Sequence, residues 1–177
     1  VVIDRNIDVL RKMDRLLGAR VITVFSNRDN VEQHVLRADL VIGGVLIPGA
    51  AAPKLITRQM IDAMKPGSVI VDVAIDQGGC CETAHPTTHA EPTYVVGNVV
   101  HYCVANMPGG VPRTSTYALN NATLPFALQI ADKGWRSALR DNEHLRNGLN
   151  VAFGKVTCRE VAEDLHYDYH DALSVID

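Results

Sequence analysis

Apolar residues fall in short runs separated by amphipathic stretches through roughly the first hundred positions. Residues 1–3 are an apolar strand ending at Asp4. Ile7, Leu10, Met13, Leu16 and Leu17 then recur at spacings of three and four, the signature of a helix with one buried face. Asn6 or Asp8 supplies its N-cap and Gly18 its stop. Residues 21–25 are β-branched and aromatic and predict a strand, and residues 30–37 predict a short helix. Leu40, Val41 and Ile42 form another strand that breaks at Gly43 and Gly44. A small-residue loop with two prolines covers 47–53, and Thr57 caps a helix carrying Met60, Ile61 and Met64. Residues 68–73 predict a buried strand and 99–104 one more.

Continuous apolar strands alternating with amphipathic helices predict a parallel sheet covered on both faces. The fold class is therefore α/β, an incomplete doubly wound, Rossmann-like sheet whose first strand and helix are absent, followed by a C-terminal helical segment. The pattern changes after Pro112. Leu119, Thr123, Phe126 and Ile130 mark one face of a long helix from about Ser115, with Pro125 inside it as a predicted kink. Thr114, Ser115 and Thr116 are its candidate caps. Residues 135–149 read as short helices, and 155–161 as a strand or turn entering a last helix. The predicted division is residues 1–113 for the sheet domain and 114–177 for the helical return.

The 177 residues are 47% hydrophobic, enough to build a core. Net charge is −3 and the basic residues are scattered, which argues against a nucleic-acid partner. No apolar run reaches the roughly 18 residues that span a bilayer, so no membrane partner is expected and the predicted location is the cytoplasm. Four cysteines, Cys80, Cys81, Cys103 and Cys158, lie at spacings unlike a disulfide framework. The chain opens on a core strand without a methionine, and truncation is the expectation.

Four features could carry chemistry. Asp4 ends a strand where, in a dinucleotide fold, a carboxylate accepts hydrogen bonds from the adenosine ribose and disfavours a 2′-phosphate; a helix-capping role is the alternative. Residues 68–80 end an apolar strand in Asp72 and Asp76 followed by Gln77, Gly78 and Gly79, at the strand end where ligands of open α/β sheets gather. A carboxylate there can orient a substrate ammonium or a water; a plain polar turn is the alternative. Residues 104–116 form a restricted loop around Pro108, Gly109, Gly110 and Pro112, either cofactor-lining or a linker between domains. Cys80, Cys81, His85 and His89 crowd together, but with no CxxC pair the expectation is no metal. His101, in an apolar stretch, reads as a satisfied core histidine.

Residues 43–57 (GGVLIPGAAAPKLIT), 72–80 (DVAIDQGGC), 86–89 (PTTH) and 101–125 (HYCVANMPGGVPRTSTYALNNATLP) together resemble the alanine dehydrogenase family along nearly the whole chain. The resemblance implies a dinucleotide-binding domain inserted into a substrate domain, NAD as cofactor, L-alanine and pyruvate as substrates, and a hexameric homo-oligomer. The implied reaction is L-alanine, NAD⁺ and water to pyruvate, ammonium and NADH.

It also implies residue roles. Asp4 matches the ribose-binding acid and Ser26 a residue near the adenine. Val45 and Leu46 match a loop on the adenosine side. Val73, Ala74, Ile75 and Asp76 match the segment beside the nicotinamide, with Asp76 the catalytic acid. Val104, Ala105, Asn106 and Met107 match the other cofactor-lining loop. Val9 and His85 depart from the family pattern, where basic residues are common. The family's phosphate loop and its substrate-binding Arg, Lys and His fall outside the matched stretch, so the chain alone is expected to be an inactive fragment. The alternatives are the NAD(H)-binding subunit of proton-translocating transhydrogenase and a non-catalytic assembly module.

Overall fold

The computed structural model describes residues 1–176, in two compact units. The first comprises Val1–Leu46 and Ala52–Ala105; the second comprises Ile47–Ala51 and the chain from Asn106 onward.

In the first unit, β1 (Val2–Asp4) leads into α1 (Ile7–Leu17), whose N-cap is Asn6: its side chain accepts from the backbone N–H groups of Asp8 and Val9. Gly18 ends the helix at φ +52°, a conformation that favours glycine. β2 (Thr23–Phe25) precedes α2 (Arg28–Arg37). This helix starts two residues before the expected position because Asn27 caps it, its side chain accepting from Asn30 N at 2.7 Å. β3 (Leu40–Gly43), α3 (Arg58–Ala63, capped by Thr57) and β4 (Val69–Asp72) follow as the apolar pattern predicts.

β5 (Thr93–Val96) was not predicted; it is antiparallel to β6 (Val99–Tyr102) across a tight turn with Gly97 at φ +60°. β1 pairs with β2 in parallel, and β3, β4 and β6 pair in parallel in the order β3-β4-β6-β5. The two ladders are not hydrogen-bonded to each other, so one edge of β1 and one edge of β3 are open. Ile3 of β1 and Val41 of β3 nevertheless pack on one core cluster, built from Val31, Val35, Met60, Ile61, Ile70 and Val99. The α/β class with a parallel sheet is as the sequence predicts.

The second unit is mainly helical. α4 (Pro112–Lys133) begins at Pro112, not Ser115, because proline needs no N–H partner in the first turn. The expected Thr/Ser caps are not used; the Ser115 hydroxyl donates to Pro108 O at 2.8 Å. α5 (Trp135–Asp141) folds back on α4, tied by Lys133 to Asp141 and by Asn142 to Gln129. α6 (Glu143–Arg146), the hairpin of β7 (Val151–Ala152) and β8 (Lys155–Val156), α7 (Arg159–Leu165) and α8 (Ala172–Ile176) complete it. Its buried residues include Ala138, Leu139, Ala162 and Ile176, whereas α4 buries none of its own. Among the described residues, no helix is long and apolar enough to cross a membrane.

Candidate functional site

Asp4 closes β1, half-buried, and its Oδ1 accepts from Asn6 N at 2.7 Å. It braces the turn into α1, while Asn6 does the capping. Ser26, just beyond β2, donates its N–H to Asp4 O at 2.9 Å, so these two predicted residues are brought side by side. Ser26 lines a cleft of about 680 Å³ together with Arg5, Phe25, Arg28, Lys54 and Met60.

At the end of β4 the two carboxylates divide. Asp72 is fully buried: its Oδ2 accepts from Cys80 N at 2.9 Å and Cys81 N at 3.1 Å, and Cys80 Sγ lies 3.5 Å from Oδ1. Between the clamped ends, a 3₁₀ turn (Val73–Gln77) buries Ala74 and Ile75 and leaves Val73 and Asp76 exposed. Asp72 is therefore a structural clasp and Asp76 the carboxylate offered to solvent. A Cβ on Gly79, at φ +75°, would stand 2.8 Å from Asp72 Oδ2, and one on Gly43 would stand 2.3 Å from Cys80 Sγ. Both glycines are required by this close packing. Burial, with the neighbouring Asp72 carboxylate, pushes the Cys80 thiol up to about 12, so it stays protonated and is no nucleophile.

The same turn is fastened to the loop after β3. Lys54 Nζ donates to Gly78 O at 2.5 Å, Gly79 O at 2.8 Å and Cys81 O at 3.3 Å. Ala52 N donates to Gln77 O, and Leu55 N and Ile56 N to Cys80 O. Val45 packs on Ala52, Ala74 and Cys80, while Leu46 is exposed.

Val104 is buried and bridges to Thr87: Thr87 N donates to Cys103 O, and Ala105 N to Thr87 O. The Pro86–Thr88 stretch is thus a strap along the end of β6. Asn106, at φ +56°, and half-buried Met107 belong to the second unit; the other predicted site residues belong to the first. His101 is fully buried, with Nδ1 3.1 Å from Val99 O and Nε2 2.7 Å from Thr83 Oγ1, a satisfied core histidine as expected. Cys81 Sγ lies 3.1 Å from Thr83 Oγ1, and His85 stacks on Tyr94.

Sequence reasoning missed three contributions: the Lys54 clamp, the clasp role of Asp72, and the cleft arginines Arg5 and Arg28. Only Asp72 had a local signal. Ser68, Ile70 and Asp72 share one phase of the strand, so a carboxylate in the apolar phase had to be buried and bonded.

Comparison with known proteins agrees with this geometry. A family model described as "Alanine dehydrogenase/PNT, C-terminal domain" matches residues 1–159. An alanine dehydrogenase of Halomonas elongata is 62% identical over 175 residues, covering 99% of this chain and 47% of that protein. A solved L-alanine dehydrogenase superposes with TM-score 0.79 at 47% identity, over 93% of this chain and 45% of that one. A solved transhydrogenase from Sinorhizobium meliloti superposes with TM-score 0.50 at 31% identity, over 65% of this chain and 39% of that one. The chain thus spans about half the length of the alanine dehydrogenases it matches. The chain belongs to the alanine dehydrogenase/PNT C-terminal domain family.

Proposed function

We propose that this chain is the dinucleotide-binding and C-terminal part of an NAD-dependent L-alanine dehydrogenase, converting L-alanine, NAD⁺ and water to pyruvate, ammonium and NADH. The observation that carries this reading is the turn at the end of β4, where Asp72 and Lys54 clamp both flanks and leave Asp76 exposed at the strand end that ligands of such sheets use.

The residues present fit the adenosine half of NAD. Asp4 and Ser26 adjoin at the ends of two parallel strands, and the cleft beside them is of ligand size. Asp4 would hold the ribose hydroxyls, Ser26 would border the adenine, and Val45 with Leu46 would line the same side. Val73, Ala74, Ile75 and Asp76 would border the nicotinamide, with Val104, Ala105, Asn106 and Met107 as the other lining segment. When bound, the cofactor supplies the hydride acceptor. Asp76 holds the substrate ammonium or takes a proton from the attacking water, and the buried Ala74 and Ile75 beneath it fix its direction. The sheet domain, residues 1–113, takes a further strand at its open edges, and residues 114–177 return to a substrate domain. The assembled protein is a cytoplasmic homo-oligomer of hexameric type. Exposed apolar side chains along α4 support a covering partner.

A chimera tests this: the Halomonas elongata relative with its matching segment replaced by this chain, assayed for alanine-dependent NADH formation. Turnover is expected, with Asp76→Asn lowering kcat by about 10²–10⁴-fold. A chimera that folds and binds NADH but shows no turnover would sink the reading. The likeness to the transhydrogenase structure supports a second reading, the NAD(H)-binding part of such an enzyme. That chimera would then bind NADH without acting on alanine.

A further inference from the structure

The chain between β3 and α3 makes an excursion. It leaves the first unit after Leu46, runs as Ile47–Ala51 in the second, and re-enters the first at Ala52. Its tip is a tight turn. Ala50 N donates to Ile47 O at 3.2 Å, with Pro48 and Gly49 in the central positions and Gly49 at φ +74°. Proline followed by glycine is the order that a type II turn demands. The tip is seated on the start of α7, where a Cβ on Gly49 would stand 3.0 Å from Glu160 Cβ, 3.3 Å from Cys158 Sγ and 3.4 Å from Val161 Cγ2. Pro48 shares the wall of a cavity of about 470 Å³ with Cys158, Arg159 and Glu160.

The neck of the excursion closes on the β4 turn. Ala52 N donates to Gln77 O at 2.8 Å, and Val45 packs with Ala52 on Ala74 and Cys80. Gln77 directly follows Asp76. Only Ala50 and Ala51 separate the seated tip from Ala52, a span of at most about 11 Å at full extension. Both ends are anchored and the link is short, so a shift of the tip on α7 is passed to the carbonyl next to Asp76. We infer that residues 46–52 tether the β4 turn to α7, and that Gly49 is a positioning residue for Asp76, acting through Ala52 and Gln77. The inference rests on the Asp76 role proposed above and deepens it.

The test pairs two glycines of matched backbone. Gly154 lies at φ +75°, but a Cβ there would meet nothing within 4 Å, so Gly154→Ala carries the strain of an alanine at positive φ without the clash. In the 177-residue chain, Gly49→Ala is expected to speed amide exchange at Ala52 by about tenfold or more relative to Ile70, which reports opening of the sheet. Gly154→Ala should leave that ratio unchanged. Val161→Ala withdraws one wall of the seat without touching the loop; it should act in the same direction, and it serves if Gly49→Ala does not fold. In the chimera described above, Gly49→Ala is expected to lower kcat by about tenfold, with KM for alanine and the affinity for NADH within about threefold of the parent. An Ala52 amide that tracks Ile70 in both seat variants, or that Gly154→Ala moves as much, overturns the tether. Faster Ala52 exchange with kcat unchanged, or with losses in KM or NADH affinity that match the fall in kcat, overturns the positioning role and leaves the Asp76 reading standing. A parent chimera without turnover removes that reading, and the positioning role with it.

Discussion

His101 shows how a single buried side chain couples this core to pH. Val99 O can only accept, so the Nδ1 3.1 Å away carries the proton, and Nε2 accepts from the Thr83 hydroxyl at 2.7 Å. A second proton would break the Thr83 bond and leave a charge in the core, and burial accordingly holds the imidazole below its usual 6.5. The unfolded chain takes up this proton near 6.5 and the folded chain does not. The stabilisation from neutral His101 is therefore complete above 6.5 and is lost as pH falls from there towards the lower folded value. Melting curves between pH 7.5 and 5 should show His101→Gln with a shallower loss of stability than the parent, the difference reaching at most about 1.4 kcal/mol per pH unit. Equal slopes would remove His101 as a titrating core group. Its burial was legible from the apolar residues around it. Its partner Thr83 was not, because the two meet only through the fold, eighteen residues apart.

At the scale of elements, α4 is the least satisfied. Its 22 residues include no buried one, and Tyr117, Leu119 and Leu128 are more than half exposed. A helix with apolar residues on several sides is ordinarily covered by something. Leu119→Lys with Leu128→Lys is expected to raise the concentration at which the chain scatters no light, and to change stability by no more than about 0.5 kcal/mol, as for other surface sites. A lost or broadened melting transition would mean those side chains are already packed within the fold. Among the elements that sequence periodicity located, β3, β4 and the helices α1 and α3 are marked by an unbroken apolar run or a clear N-cap. β5 escaped because it is an edge strand of alternating exposed and half-buried residues. The usable signal was the Gly97–Asn98 pair between two β-branched runs, a two-residue hairpin turn.

For the molecule as a whole, the parallel α/β class was readable because each strand is short, apolar and followed by an amphipathic or loop segment. The clamp around the β4 turn was not, since Lys54 and the carbonyls it serves lie 24 to 27 residues apart. The open edges of β1 and β3 have a kinetic consequence. Val2 and Asp4 point their backbone groups to β2, and Asp39 points its carbonyl to β4. By alternation, Ile3, Leu40 and Ile42 turn their amides outward, away from the paired strand. In deuterated water these three amides should exchange orders of magnitude faster than Ile70, whose strand is paired on both sides. Slow exchange at Ile3 and Ile42 would mean the edges are covered in solution. A strand that entered the sheet would be recorded as protection at these same positions, which makes them a clock for assembly of the complete domain.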